Sequence, residues 1–421
     1  MKGIFNCKNI DNYIIRIECS KGKSYPRYYE YTPTSNDIGQ TDITFSIYKP
    51  SSFTDYTGVL VTSKKCKLIT INIDKESPSS LRRFLLIGDS TITAGIYQNE
   101  AFRRLTASDG TPIGIGLNNI KFVGRKTSDK CGVTAGYEGT SGWSWDNYVS
   151  PISKTILFNV TGVTNVNIDD LYSVQSGDIT LRMLVMEINI TEGEGYIRCS
   201  YNSDSPSYSA TPDSSGTMKK ISGGGDSLIT YTSIEEDMYS PFYNTETDEI
   251  DITSYVNEYC EGNIDYFIPT LGINSISRMY SNNKTIDTII NEVKTLIDAV
   301  HSEYPNVKIL ISTIPMPSQV GGMGASYNAS YRAVKEDYQR RAFKINTEYI
   351  RLAESSDYSA FVSIINMCAE FDSDYLYPTT EVTANPRTTN KEIRGTNAAH
   401  PSNDGYLSEG DIIFRHIYGV L

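Results

Sequence analysis

The chain has 421 residues, a formal net charge of -12 and a pI near 4.9, which argues against nucleic acid as a partner because phosphate binding needs concentrated Lys and Arg, and no basic stripe stands out. A hydrophobic content of 39% and a charged content of 21% fit a folded chain rather than a long disordered one. No apolar run approaches the length of a membrane span, and the opening Met1-Lys2-Gly3-Ile4-Phe5-Asn6 carries no apolar signal stretch.

A chain of this length is expected to hold two or three domains. Residues 1–80 read as short strands between polar turns: Tyr13 to Glu18, Ile43 to Tyr48, Gly58 to Thr62 and Lys67 to Ile73. Alternation with β-branched residues predicts a small β-sandwich there, and Glu76-Ser77-Pro78-Ser79-Ser80 reads as a linker. The apolar run Phe84-Leu85-Leu86-Ile87 then halts at Gly88-Asp89-Ser90, a strand entering a tight turn. Residues 81–149 therefore open an α/β domain. The stretch 150–238 alternates without helical periodicity and is broken by Ser/Gly/Asp-rich turns, as expected of a β-rich module inserted in that domain. Either it overhangs the site and limits which acylated chains enter, or it is a spacer or oligomer contact.

From 239 onward strands and helices alternate. Asp265 to Leu271 reads as a strand, with Pro269 against a central placement. Ile286, Ile289, Ile290, Val293, Leu296, Ile297 and Val300 mark an amphipathic helix. A strand at 307–314, a helix near 328–354, a strand at 361–367 and a final helix from about 404 complete a parallel sheet flanked by helices. Tyrosine is abundant, with 31 residues against 13 Phe and 2 Trp, which favours surfaces that contact sugars or other subunits. Seven cysteines, odd in number and without a Cys-x-x-Cys pair, indicate reduced thiols and no zinc site.

Four separated segments carry chemistry: Gly88-Asp89-Ser90, Glu138-Gly139-Thr140-Ser141-Gly142-Trp143, Gly272-Ile273-Asn274 and His400-Pro401-Ser402. Taken alone, Gly-Asp-Ser is ordinary turn chemistry and not a Gly-x-Ser-x-Gly elbow. Together the segments supply what acyl transfer needs: a hydroxyl nucleophile, a base, and neutral donors for an oxyanion. His400 has two rivals in the chain, His301 and His416, both within helical patterns that make them surface or packing residues.

In these four blocks, over about 81–149 and 240–421, the chain resembles the SGNH (GDSL-type) hydrolases, named for a Ser, a Gly, an Asn and a His in four blocks. The resemblance implies a three-layer α/β/α parallel sheet, with Ser90 as nucleophile and His400 as base. The oxyanion is met by the backbone N–H groups of Ser90 and Gly142 and the side-chain amide of Asn274. Gly142 is preferred over Gly139, on the ground that a side chain there blocks close backbone approach. Trp143, beside Gly142, is a candidate substrate-binding residue.

Two positions depart from the pattern. Ser275 stands where Asp is usual after the Asn, and Asn397 stands where Asp usually precedes the His. An Asp accepts from His Nδ1–H and stabilises the imidazolium, whereas Asn orients the ring through its carbonyl without charge. In a serine protease, Asp to Asn at the equivalent place lowers turnover about ten-thousandfold. Three outcomes follow: a Ser–His dyad oriented by Asn397 or a backbone carbonyl, a substitute carboxylate from Asp372, Asp374 or Asp404, or a hydrolase fold kept for binding.

The expected function is that of a serine esterase removing acetyl or other small O-acyl groups from a polysaccharide or glycan, with no cofactor or metal. The alternative is a phage virion structural or receptor-binding tail protein of weak or no activity. A homo-oligomer or other tail components are the expected protein partners, with a place on the virion tail or an extracellular site of action. A lipase acting at membranes fits less well, since no amphipathic basic helix is visible.

Overall fold

The computed structural model describes residues 12–25, 28–52, 54–72, 76–202, 205–207, 209–281, 283–318 and 335–421. It is a mixed α/β structure with several sheets. The largest has seven strands, in the order Val362–Ile365, Lys308–Ser312, Tyr266–Thr270, Arg82–Gly88, Ala135–Gly139 and Lys126–Ser128, with Ile120–Val123 also paired to Arg82–Gly88. All pairings are parallel except that of Lys126–Ser128 with Ala135–Gly139.

The central strands are buried on both faces, which is why their sequences are continuously apolar rather than alternating. Period-2 geometry sorts the side chains: Phe84 and Leu86 enter one core with Ile268, Leu310 and Ile413, whereas Leu85 and Ile87 enter another with Phe267, Ile309 and Ile297. Successive strands run outward in opposite directions from Arg82–Gly88, so the chain order reverses between it and Tyr266–Thr270. Ligands of open α/β sheets bind at such a reversal, beyond the carboxyl ends of the strands. Ser90 follows directly on Arg82–Gly88.

Pro269 lies in a central strand after all. Tyr266–Thr270 pairs along its whole length with Arg82–Gly88 but with Lys308–Ser312 only at Tyr266 and Phe267. The ladder that Pro269 could not serve has already ended. The amphipathic helix spans Ile286–Glu303. The long polar helix is Lys335–Glu354, and the expected turns before it lie outside the described residues. The last helix is Asn403–Val420.

Residues 153–239 form a closed six-stranded antiparallel barrel, in the order Ser153–Thr161, Glu194–Tyr201, Ile179–Thr191, Leu171–Ser176, Gly216–Ser222 and Leu228–Tyr239. Its interior is filled by Ile156, Phe158, Tyr172, Met183, Ile197 and Tyr231. Closure removes the open edges that six short strands would otherwise expose.

The N-terminal region differs from the sandwich expected. Its described residues form a three-stranded antiparallel sheet of Ile14–Cys19, Gly39–Lys49 and Val59–Thr70, and a two-stranded pair, Lys23–Ser24 with Tyr29–Glu30. Two expected strands are one, because the polar stretch Ser63 to Cys66 stays in register with Ile43 to Ser46 and its solvent-facing residues need no apolar pattern. Ser77 and Pro78 of the linker are tied to the α/β unit, accepting hydrogen bonds from Asn118 N (2.9 Å) and Asn119 Nδ2 (2.8 Å). The six described cysteines are free thiols. No helix among the described residues is long and apolar enough to cross a membrane.

Candidate active site

Strand Arg82–Gly88 ends where only glycine fits: a Cβ on Gly88 would lie 2.6 Å from Thr270 Oγ1 and 3.0 Å from Ile92 Cβ. Asp89 then caps the short helix Ser90–Thr93, its Oδ1 accepting from both Thr91 N and Thr91 Oγ1 at 2.9 Å. Two further bonds pin the turn. Tyr148 OH donates to Gly88 O at 2.7 Å, and Thr93 Oγ1 donates to Ser90 O at 2.9 Å. Ser90 itself stays partly exposed.

His400 meets it from the segment before the last helix, with Nε2 2.7 Å from Ser90 Oγ. That segment is fixed by Ser402, whose N–H and Oγ–H both donate to Leu376 O, at 2.9 and 3.1 Å, while its Oγ caps the helix by accepting from Gly405 N. Burial lowers the His400 pKa below its ordinary 6.5, so the ring is neutral near pH 7 and able to accept a proton. The other histidines lie elsewhere: His301 stacks on Phe361 with ring centroids 3.6 Å apart, and His416 pairs with Glu370 at 2.7 Å.

Asn397 does not do what was expected of it. Its Oδ1 accepts the backbone N–H groups of Ala399 (3.0 Å) and His400 (2.9 Å), so the carbonyl is turned into its own loop. Two N–H donors can face only an oxygen, which fixes the amide's orientation. The group at 3.4 Å from His400 Nδ1 is therefore Nδ2. An NH2 group donates, so it favours the tautomer with a lone pair on Nδ1 and the proton on Nε2, the opposite of what a base toward Ser90 requires. Of the carboxylates considered as substitutes, Asp372 Oδ1 accepts from Asp374 N at 3.0 Å, and Asp404 sits in the first turn of the last helix.

The second and third blocks meet beside this pair. Residues 140–143 form a turn closed by Trp143 N donating to Thr140 O at 3.1 Å, and Ser141 Oγ lies 3.2 Å from Thr93 Oγ1. Gly142 has φ +83, and a Cβ there would meet nothing within 4 Å. The glycine serves the left-handed backbone rather than clearance. The steric argument falls on Gly139 instead, whose Cβ would lie 2.2 Å from Ile92 Cγ2. Asn274, near the start of helix Ile273–Ser281, donates from Nδ2 to Trp143 O at 2.8 Å and so fastens the third block to the second.

Trp143 is 5% exposed and packs edge-on to Tyr148, with centroids 5.2 Å apart. It lies in the core beneath the turn, with little of its ring open to a substrate. Trp145 is buried and donates from Nε1 to Tyr349 OH at 2.7 Å. Ser275, at the position where Asp is usual, is fully buried.

Sequence reading missed a second carboxyl near Ser90. Beside the turn lies a cavity of about 30 Å³ lined by Thr91, Tyr97, Thr270 and Glu409, among others. Glu409 is 4% exposed, and burial with the nearby Asp89 charge raises its pKa to about 8. Asp89 is fully buried, and burial raises its own pKa to about 6. Glu409 lies on the helix that follows His400, so the last helix and the Ser90 turn bring two acidic groups toward one another. No signal in the sequence marks Glu409, which sits in an ordinary helical pattern.

No protein-family model and no curated protein matches the chain. Among solved structures, it is similar to a putative GDSL-like lipase from Parabacteroides merdae, at 10% identity over 82% of this chain and 100% of that one, with a TM-score of 0.33. It is also similar to a peptidoglycan O-acetylesterase, at 11% identity over 81% and 91% with a TM-score of 0.26. A third is a carbohydrate esterase family 2 enzyme with a carbohydrate binding domain from Corynascus thermopiles (Myceliophthora fergusii), at 11% identity over 97% and 86% with a TM-score of 0.30.

Two pH dependences follow. With His400 neutral above a pKa that lies below 6.5, the NMR shifts of its ring protons are expected to titrate with a midpoint below 6.5. A midpoint well above 6.5 would contradict the burial argument. Glu409 gives up its proton near 4.5 when unfolded and near 8 when folded, so between those values the folded state binds more protons and stability falls as pH rises. The melting-temperature advantage of Glu409→Gln over the unchanged protein should grow between pH 4.5 and 8 and level off above. A difference constant across that range would show that Glu409 does not ionise in this way.

Proposed function

We propose that the chain is a serine esterase that removes acetyl or other small O-acyl groups from a polysaccharide or glycan. The observation that carries this reading is the 2.7 Å contact between Ser90 Oγ and His400 Nε2 at the carboxyl end of a central strand. In this reading the chain divides into an N-terminal β unit (1–80), a three-layer α/β/α hydrolase domain (81–149 and 239–421) and an inserted β module (150–238).

The chemistry assigned to these atoms is acyl transfer in two halves. Ser90 Oγ attacks the ester carbonyl carbon as His400 Nε2, in the tautomer that carries the ring proton on Nδ1, takes its proton, and the oxyanion is met by the N–H groups of Ser90 and Gly142 and the Asn274 amide. The C–O bond to the sugar breaks, and the departing oxygen takes the proton from His400. Water, deprotonated by the same ring, then attacks the acyl-enzyme and releases the acid and Ser90. The carbohydrate part of the proposal is supported by the wealth of tyrosine. Tyr375, 73% exposed, adjoins Leu376, whose carbonyl holds Ser402.

One observation favours a second reading, a virion tail protein that binds with little turnover: the Asn397 amide faces His400 Nδ1 with a donor. Hydrolysis of p-nitrophenyl acetate separates the two. The esterase reading expects measurable turnover that Ser90→Ala abolishes; equal rates in the two proteins would leave only binding. Asn397→Asp would keep Oδ1 on the two backbone N–H groups while turning the second oxygen toward Nδ1. It is expected to raise kcat at least about tenfold, since the converse change in a serine protease costs about ten-thousandfold. An Asp variant no faster than the unchanged protein would sink the tautomer argument.

A further inference from the structure

A fully buried guanidinium joins the barrel to the hydrolase sheet. Arg125 lies between strands Ile120–Val123 and Lys126–Ser128, and its guanidinium and Glu138 are both wholly inaccessible. Arg125 Nε and Nη2 grip the two oxygens of Glu138 at 3.0 and 2.9 Å, and Tyr255 OH donates to the same carboxylate at 2.9 Å. The remaining nitrogen, Nη1, turns toward the barrel, donating to Met186 O and to Tyr239 OH (2.8 Å).

The barrel is built to receive it. Val185 pairs with Cys199 and Glu187 with the adjacent Arg198, so Met186 is the extra residue of a β-bulge. Its carbonyl accepts from Arg125, and its side chain, on the outer face opposite Met183 and Val185, joins the hydrolase core with Leu85 and Phe267. Tyr239, at the end of the barrel's last strand, lies between two guanidinium groups, Arg125 at 5.5 Å and Arg198 at 4.9 Å from its centroid. Its ring centroid is 6.2 Å from that of Trp143. The barrel therefore reaches both ends of the segment 138–143, through Arg125 to Glu138 and through Tyr239 to Trp143.

We propose that the inserted barrel is a strut for the oxyanion turn, with Arg125 and Tyr239 as positioning residues that hold segment 138–143 against the Ser90 turn. The link to turnover rests on the esterase reading, with Gly142 as a donor. Lys at 125 keeps the charge but loses the fork that reaches four acceptors, and Phe at 239 keeps the ring but loses the oxygen that Arg125 meets.

Hydrogen–deuterium exchange on the full chain reads the strut without reference to turnover. In Arg125→Lys and in Tyr239→Phe, amides of 138–143 should exchange on the order of tenfold faster, while those of 82–88 and 266–270 keep their rates. With p-nitrophenyl acetate, kcat per Ser90 titrated by a phosphonate should fall about tenfold with KM within about twofold, a split that a lower folded fraction would not produce. Unaltered exchange at 138–143 overturns the proposal, and so does faster exchange with unaltered kcat; should Arg125→Lys fail to fold, Tyr239→Phe alone decides. If the unchanged protein has no turnover, the esterase reading fails by itself, and exchange still decides whether the barrel braces the turn.

Discussion

Gly88 is enclosed by Thr270 and Ile92, and its carbonyl receives the Tyr148 hydroxyl at 2.7 Å. A larger residue would push the strand end away from Tyr266–Thr270, and the turn carrying Ser90 would go with it. The rest of the site is arranged against that fixed point. His400 arrives from a loop held at Leu376, Asn274 ties the third block to Trp143 O, and Ser141 meets Thr93. Each of these hydrogen bonds is of modest net worth. Their joint effect is to restrict several loops to one geometry.

Electrostatically the site is neutral at its working face and acidic beneath. His400 is held neutral by burial, while Asp89 and Glu409 are both pushed toward their protonated forms. Asp89 Oδ1 caps the short helix that begins at Ser90, a role that needs an acceptor and not a full charge. Asn397 shows the converse. Its oxygen is committed to the backbone of its own loop, leaving a donor toward the imidazole. The substitution thus changes the direction of a hydrogen bond as well as removing a charge.

The barrel's bulge ties the barrel to the α/β sheet. A regular ladder would keep the Met186 carbonyl paired with the neighbouring strand. The extra residue frees it for Arg125, while the side chain, on the barrel's outer face with Leu184, joins the core of the α/β sheet. A buried guanidinium is costly to desolvate, and the bidentate carboxylate with two further acceptors offsets that cost.

The alternation of apolar runs with turn residues was enough to read the α/β order after 239, the β character of 150–238 and the apolar stop at Gly88, because strand and helix periods are local properties of the chain. That Ser90 and His400 come within 2.7 Å of one another was expected from the scarcity of histidines and of residue types suited to nucleophilic and base chemistry. What the tertiary structure alone decided was direction and company: which atom of Asn397 faces the ring, that Trp143 is buried rather than open, that Gly142 serves backbone conformation while Gly139 serves clearance, and that Pro269 fits where one ladder has ended. It also decided that Glu409 comes near Asp89 and that Arg125 reaches Met186. Those outcomes depend on side chains far apart in sequence converging in space, and residue identity and spacing carry no record of such convergence.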